Sequence, residues 1–195
     1  STSWGLGFFS TLIIAMLICM FTGVLIEKIA YKPLRHASRI TSLITAIGVS
    51  LFMEYAMMYV MGPNIRTYPA DFFPKEVYTV AGLQISNHQI MIFITSIVLM
   101  IALQLIVKKT KIGKAMRAVS TDPDAAELMG INVNHTISFT FAIGSALAGA
   151  AGVMIGMYYN SIDPLMGMIP GLKAFIAAVF GGIGIIPGAM LGGEA

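Results

Sequence analysis

Charge is what this chain has least of. Only 11% of its 195 residues are Asp, Glu, Lys or Arg, while 57% are hydrophobic. Soluble domains carry about a quarter of their residues charged, so a water-soluble fold is excluded. Cysteine is nearly absent. The single Cys19 lies within an apolar run, which rules out an intrachain disulfide. The three histidines, His36, His88 and His135, share no metal-ligand spacing with one another or with Cys19, and no metal site is expected. No G-x-x-x-x-G-K-[ST] string occurs, so the chain has no P-loop for ATP. No nucleophile elbow surrounds Ser145, which leaves a His135–Ser145 intramembrane hydrolase without support, and no enzyme is expected. There is no initiating Met and no cleavable signal pattern. Gly5–Ile26 is too long for a signal core and is followed by basic residues.

What is present is a set of long apolar runs. Gly5–Ile26 is uncharged and would make roughly 33 Å of helix, enough to cross a bilayer. Residues 40–61 carry one acid, Glu54, and residues 90–107 and 136–159 carry none. A fifth run, 174–191, is interrupted by Gly181, Gly182, Gly184, Pro187 and Gly188. The fold class is therefore an all-α polytopic membrane protein, a single transmembrane domain over 1–195 with about five spans. The last span reads as broken or re-entrant, lining a cavity, or as a Pro/Gly kink satisfied by its neighbours. Between spans two and three, Val77–Val80 and Leu83–Ser86 read as a small hairpin about Ala81-Gly82, either a lid or a contact for an external partner.

Basic residues set the orientation. Lys28, Lys32, Arg35 and Arg39 crowd the first connector, and Lys108, Lys109, Lys111, Lys114 and Arg117 the third; Arg66 and Lys75 are the only ones in 62–89. Basic-rich connectors stay in the cytoplasm, so 27–39 and 108–134 lie inside and the hairpin outside. The same rule accounts for the +3 net charge, and no nucleic-acid partner is implied. Glu27 to Arg35 reads as a cytoplasmic turn ended as a helix by Pro33.

The connector 108–134 holds more order than a tether needs. Ile112, Ala115, Met116 and Val119 fall on one helical face, with Lys111, Lys114 and Arg117 off it. After a break at Ser120–Pro123, Asp122 suits an N-cap, Pro123 the first helical position and Asp124 the first turn, while Gly130 suits the residue past the end. A short helix of about two turns, roughly 10 Å, follows over 123–129.

Inside the spans three features stand out. Glu54 lies roughly 6 Å from the midplane of span two. An acid left unpaired at the centre costs about 2.5–3.5 kcal/mol, so Glu54 lines a pathway or hydrogen-bonds a neighbouring helix. Lys173 sits at the outer mouth of span five, behind Pro170-Gly171, snorkelling to headgroups or meeting the solute. Gly144, Ala148, Gly152 and Gly156 recur at i+4 with Ser145 and Gly149 beside them, a packing face within the chain or toward a second copy.

Asp124-Ala125-Ala126-Glu127-Leu128-Met129-Gly130 resembles the E-A-A-x-x-x-G loop of ABC importer permeases, with Asp124 in the acid position. The longer string Gly113–Val119, with Asp122, Ala126 and Gly130-Ile131-Asn132-Val133, is similar to the branched-chain amino acid permease family, in its LivH-type subunit. Ser161–Gly167, Pro170–Phe175, Val179–Gly184 and Tyr31–Arg35 extend the likeness along essentially the whole chain. The I-x-L-P continuation of the general ABC loop is missing after Gly130. The resemblance implies a multi-pass subunit of the bacterial inner membrane, conducting leucine, isoleucine and valine. It implies a LivM-like permease, two ABC ATPases that bind ATP and Mg, and a periplasmic or lipoprotein solute-binding protein as partners, with membrane lipid around it and no cofactor on this chain. Arg117, Asp122, Asp124, Ala125, Ala126, Glu127 and Gly130 would contact the ATPase. Glu54, Lys173, Gly181, Gly182 and Gly184 would line the route. The family's first and last spans are not found, so a piece of a longer polypeptide is expected. Urea or short-chain amides as solute, a secondary carrier using Glu54, and a scaffold that transports nothing are the other readings.

Overall fold

The computed structural model describes residues 4–34, 39–67, 77–80 and 83–180. Four helices are long and apolar enough to cross a membrane: α1 (Trp4–Ile26, prolonged by turns to Leu34), α2 (Arg39–Met61), α3 (Asn87–Lys109) and α6 (Val133–Tyr159). Two short helices, α4 (Lys111–Thr121) and α5 (Pro123–Leu128), join α3 to α6. A shorter apolar helix, α7 (Met168–Phe180), follows. The architecture is that of an all-α polytopic membrane protein. Residues 181–191, where the break in span five was expected, lie outside the described residues.

Hydroxyls inside the spans are satisfied locally. Thr22, Thr45 and Thr95 each donate to the carbonyl four residues back, at 2.9, 2.8 and 2.7 Å, so the helix presents no open donor to lipid. α2 ends where Gly62 takes φ +82° and its N–H bonds the Met58 carbonyl at 2.9 Å. α6 ends at Asn160, also left-handed with φ 54°.

The backbone divides into two compact units, 1–53 with 101–158, and 54–100 with 159–195. In the second unit, β2 (Val77–Val80) and β3 (Leu83–Ser86) pair antiparallel with Val80 opposite Leu83, the hairpin expected from their β-prone runs; its turn at 81–82 is outside the described residues. A second ladder was not expected. β1 (Arg66–Thr67) pairs with β4 (Ser161–Ile162), where the sequence reads as plain loop because two-residue strands show no periodicity. The Asp163 carboxylate then accepts from the Leu165 N–H at 3.0 Å, and α7 starts at Met168. Pro170 and Gly171 therefore lie inside the first turn of α7, where a missing N–H costs nothing. Lys173 is an exposed residue of the second turn.

In the first unit, α1 and α6 run antiparallel along a seam of small residues. A Cβ on Gly149 would come within 2.8 Å of the Ala15 carbonyl oxygen and 2.9 Å of Cys19 Sγ, and one on Gly23 would overlap Ser145 Oγ. The row that packs is thus Ser145 and Gly149. Gly144 and Ala148 are exposed, and a Cβ on Gly144 or Gly152 would meet nothing within 4 Å; Gly156 is buried. The cytoplasmic-turn reading of Glu27–Arg35 also changes. Helical backbone continues past Ile26 as a π-turn over Glu27–Tyr31 and a 3-10 turn over Lys32–Leu34, and Glu27 is buried rather than facing solvent. Pro33 lies within that 3-10 turn, whose last described residue is Leu34.

Overpacking the seam should be costly where the backbones touch and harmless beside it. Gly149→Val is expected to destabilise the detergent-solubilised protein by about 1–3 kcal/mol. Gly144→Val should stay within about 0.5 kcal/mol. Thermal melts showing equal losses for both would contradict the assignment of the seam.

Candidate functional site

The segment from α3 to α6 changes direction repeatedly, and at each corner one polar side chain satisfies the helix ends it joins. At the first corner Thr110 Oγ1 accepts from the Gly113 N–H at 3.0 Å, capping α4. The C-terminal carbonyls of α3 are met in turn. The Thr110 N–H donates to the Ile106 carbonyl and Arg117 Nη1 donates to the Val107 carbonyl, a cation placed at a helix C-terminus. Gly113 is required there, since any Cβ would overlap the carbonyl oxygens of Ile106 and Val107.

The break read at Ser120–Pro123 shrinks to one residue. α4 continues to Thr121, and Asp122 serves both helices. Its N–H bonds the Ala118 carbonyl at 3.1 Å, closing α4, while its Oδ1 accepts from the N–H groups of Asp124 and Ala125, both at 3.0 Å, opening α5. Pro123 occupies the first turn, where no donor is needed. At the far end Gly130, with φ +82°, bonds the Glu127 carbonyl at 2.9 Å, and the Ile131 N–H bonds the Ala126 carbonyl at 3.0 Å. That is the paired bonding of a Schellman stop, and it uses the left-handed conformation only glycine enters freely. Asn132 Oδ1 then accepts from the His135 N–H at 3.0 Å and starts α6.

The face α5 presents differs in part from the expected contact set. Ala126 is only 4% exposed and faces inward; Val119 on α4 is buried as well, and the two helices touch. Ala126 is therefore buried within the chain, unlike its exposed neighbours on α5. Arg117 is exposed, yet its guanidinium is committed to the end of α3. Asp122, Asp124, Ala125, Glu127 and Gly130 are exposed, and Asp122 is occupied in capping. Leu128 and Met129 were missed. They are 88% and 83% exposed beside two carboxylates on a polar connector. Their signal was legible as apolar residues at the end of a capped helix that falls off the Ala126 face.

Of the residues proposed to line a route, Glu54 is half-buried on α2 and Lys173 is exposed on α7. Both belong to the second compact unit, whereas the α4–α5 residues belong to the first. Gly181, Gly182 and Gly184 lie outside the described residues. A fully buried carboxyl was read only as part of the 27–35 turn: Glu27, whose Oε2 accepts from Ser138 Oγ at 2.7 Å.

Comparison with known proteins bears on this geometry directly. The family model described as "Branched-chain amino acid transport system / permease component" matches residues 1–194. This chain belongs to that permease family. It is 43% identical over 174 residues to the high-affinity branched-chain amino acid transport system permease protein BraD of Pseudomonas aeruginosa, covering 88% of this chain and 57% of BraD. It is 39% identical over 198 residues to LivH of Salmonella typhimurium, covering 98% of this chain and 63% of that protein, and 39% identical over 182 residues to LivH of Escherichia coli, covering 92% and 59%. The chain thus spans from 57% to 63% of the length of these relatives. No solved structure matches it. The relatives are transport permeases, and the permease family together with the four apolar helices makes this a multi-pass membrane protein.

Removing the shared cap should loosen α5 before anything else. Asp122→Ala is expected to cost about 1 kcal/mol locally, speeding amide exchange at Asp124 and Ala125 about fivefold. Asp122→Asn should stay within about twofold of the parent, because Asn caps nearly as well. Unchanged exchange in the alanine variant would mean that the cap does not hold the helix.

Proposed function

We propose that residues 1–195 form one permease domain within a subunit of an ATP-driven importer of the bacterial inner membrane, enclosing part of the route for leucine, isoleucine and valine. The observation that carries the coupling half of this reading is α5: a short helix capped at both ends, lying on the basic-rich side of the spans and exposing Asp124, Glu127, Leu128 and Met129. A partner that binds it needs an apolar cleft for Leu128 and Met129 with basic residues at its rim. Burying a leucine contributes about 1.5–3 kcal/mol, more than exposed ion pairs supply, so the apolar residues anchor and the acids orient. That partner is one of two cytoplasmic ATPases, which bind ATP and Mg and carry out hydrolysis. The other components are a second, LivM-like permease and a periplasmic or lipoprotein solute-binding protein.

Branched-chain amino acids are favoured over urea, amides or a proton-coupled carrier on Glu54 because the relatives' own names specify them. Motion of the ATPases reaches the spans through bonded corners rather than through a loose connector. A helix whose ends are satisfied by its neighbours passes on a rotation that an open loop would absorb.

The test uses the full-length permease expressed with its partner subunits. Leu128→Asp, Asp124→Lys and Gly130→Val should leave membrane insertion intact while lowering ATPase co-purification and solute-stimulated hydrolysis, for Leu128→Asp by about tenfold or more. ATP-dependent leucine uptake should be competed by isoleucine and valine and not by urea or acetamide. Normal ATPase binding and hydrolysis in all three variants would remove α5 from the coupling role, and competition by urea would overturn the solute.

A further inference from the structure

Glu27 is the largest side chain that the described residues bury completely, at 0% exposure, and nothing in the coupling scheme above uses it. Ser138 Oγ donates to its carboxyl at 2.7 Å. The position of this pair is informative. Ser138 lies less than two turns past the Asn132 cap, so it moves as a rigid continuation of the α5–α6 corner. Glu27 opens the π-turn of α1, whose wide bond runs from the Lys32 N–H to the Glu27 carbonyl. Tyr31 closes that turn with its ring 5.0 Å from the ring of Phe141. In regular helix, four residues overshoot a full turn by about 40°. The wider turn removes that drift and keeps Glu27 and Tyr31 on the one face that meets α6. Turns of this kind recur at functional sites.

Beyond the pair, α1 and α6 approach closely at small residues, Gly23 on Ser145 and Gly149 on Ala15 and Cys19. Small-residue packing holds two backbones close but does little to stop one helix sliding along the other. A side-chain hydrogen bond is directional and fixes register. Stability alone does not ask for it, since an apolar side chain of similar size packs a buried site at least as well as a polar one. We infer that the Glu27–Ser138 hydrogen bond is the joint through which α1 follows α6, which makes Glu27 a positioning residue of the transport cycle. The inference rests on the reading of α5 as the coupling helix.

The experiment reconstitutes the full-length permease with its partner subunits in proteoliposomes and counts solute moved per ATP hydrolysed. Glu27→Leu and Ser138→Ala are expected to reach parental abundance, retain the ATPases and hydrolyse ATP, while transport per ATP falls about tenfold. Glu27→Gln, whose amide oxygen still accepts from Ser138, should stay within about twofold of the parent. The double variant Glu27→Leu/Ser138→Ala should be no worse than either single one, as for two halves of one bond. Parental transport per ATP in both removal variants overturns the inference. So does a loss of assembly and hydrolysis in proportion to transport, which marks a purely structural role. Failure of the coupling reading itself is distinguishable, because it shows as normal ATPase binding and hydrolysis in the Leu128→Asp, Asp124→Lys and Gly130→Val variants.

Discussion

Between Thr110 and Asn132 the chain makes three corners, and at each a side chain or a left-handed glycine meets the backbone groups that a helix end leaves open. Helix termini release four donors or four acceptors apiece. In a connector this short, leaving them to water would cost the corners their rigidity. Thr110, Asp122, Gly130 and Asn132 each satisfy groups at the helix ends they adjoin, so the connector from the end of α3 to the start of α6 has the bonding of one bent rod. Asp122 is the most economical of these, closing one helix with its backbone and opening the next with its carboxylate. Everything attributed to α5, its exposed apolar end included, depends on that rod not yielding.

The rod has to grip the spans as well as face a partner. In lipid the hydrophobic effect gives helices no reason to associate, so close backbone approach and a few hydrogen bonds must do it. α1 and α6 solve this with Gly23, Cys19 and Ala15 against Ser145 and Gly149, and with a polar contact where the seam nears the basic-rich end. Elsewhere the described residues bury few apolar side chains. None of the apolar stretches of α2 and α3 is buried within it. Their surfaces are what lipid and the rest of a permease assembly would cover.

Local chemistry was the legible part. The four long spans, the Asp122-Pro123 start of α5, its Gly130 stop and the Val77–Ser86 pairing all follow from residues within a few positions of one another. What required a second helix was not. The small-residue stripe on α6 was legible as two adjacent rows, but periodicity does not say which neighbour meets which row, and it is Ser145 and Gly149 that lie against α1. Ala126 was grouped with the exposed residues of α5 although it is buried within the chain. Glu27 was assigned to a turn on the strength of Lys28 and Pro33 nearby. The clue lay upstream, in Ala15, Cys19 and Gly23, small residues at every fourth position that lead to Glu27. Glu54 drew attention instead, being the acid nearest mid-span. Family membership was read from strings spread over the whole chain and agrees with the match over residues 1–194.

The central claim is that α5 faces the cytoplasm and is held by an ATPase there. It is tested most directly by placing a single cysteine at Leu128 in a cysteine-free full-length permease and labelling it with a membrane-impermeant maleimide. The account predicts no reaction in intact cells, rapid reaction in inside-out vesicles, and protection when the partner ATPases are bound. Labelling from the exterior of intact cells, or equal labelling with and without the ATPases, would contradict it.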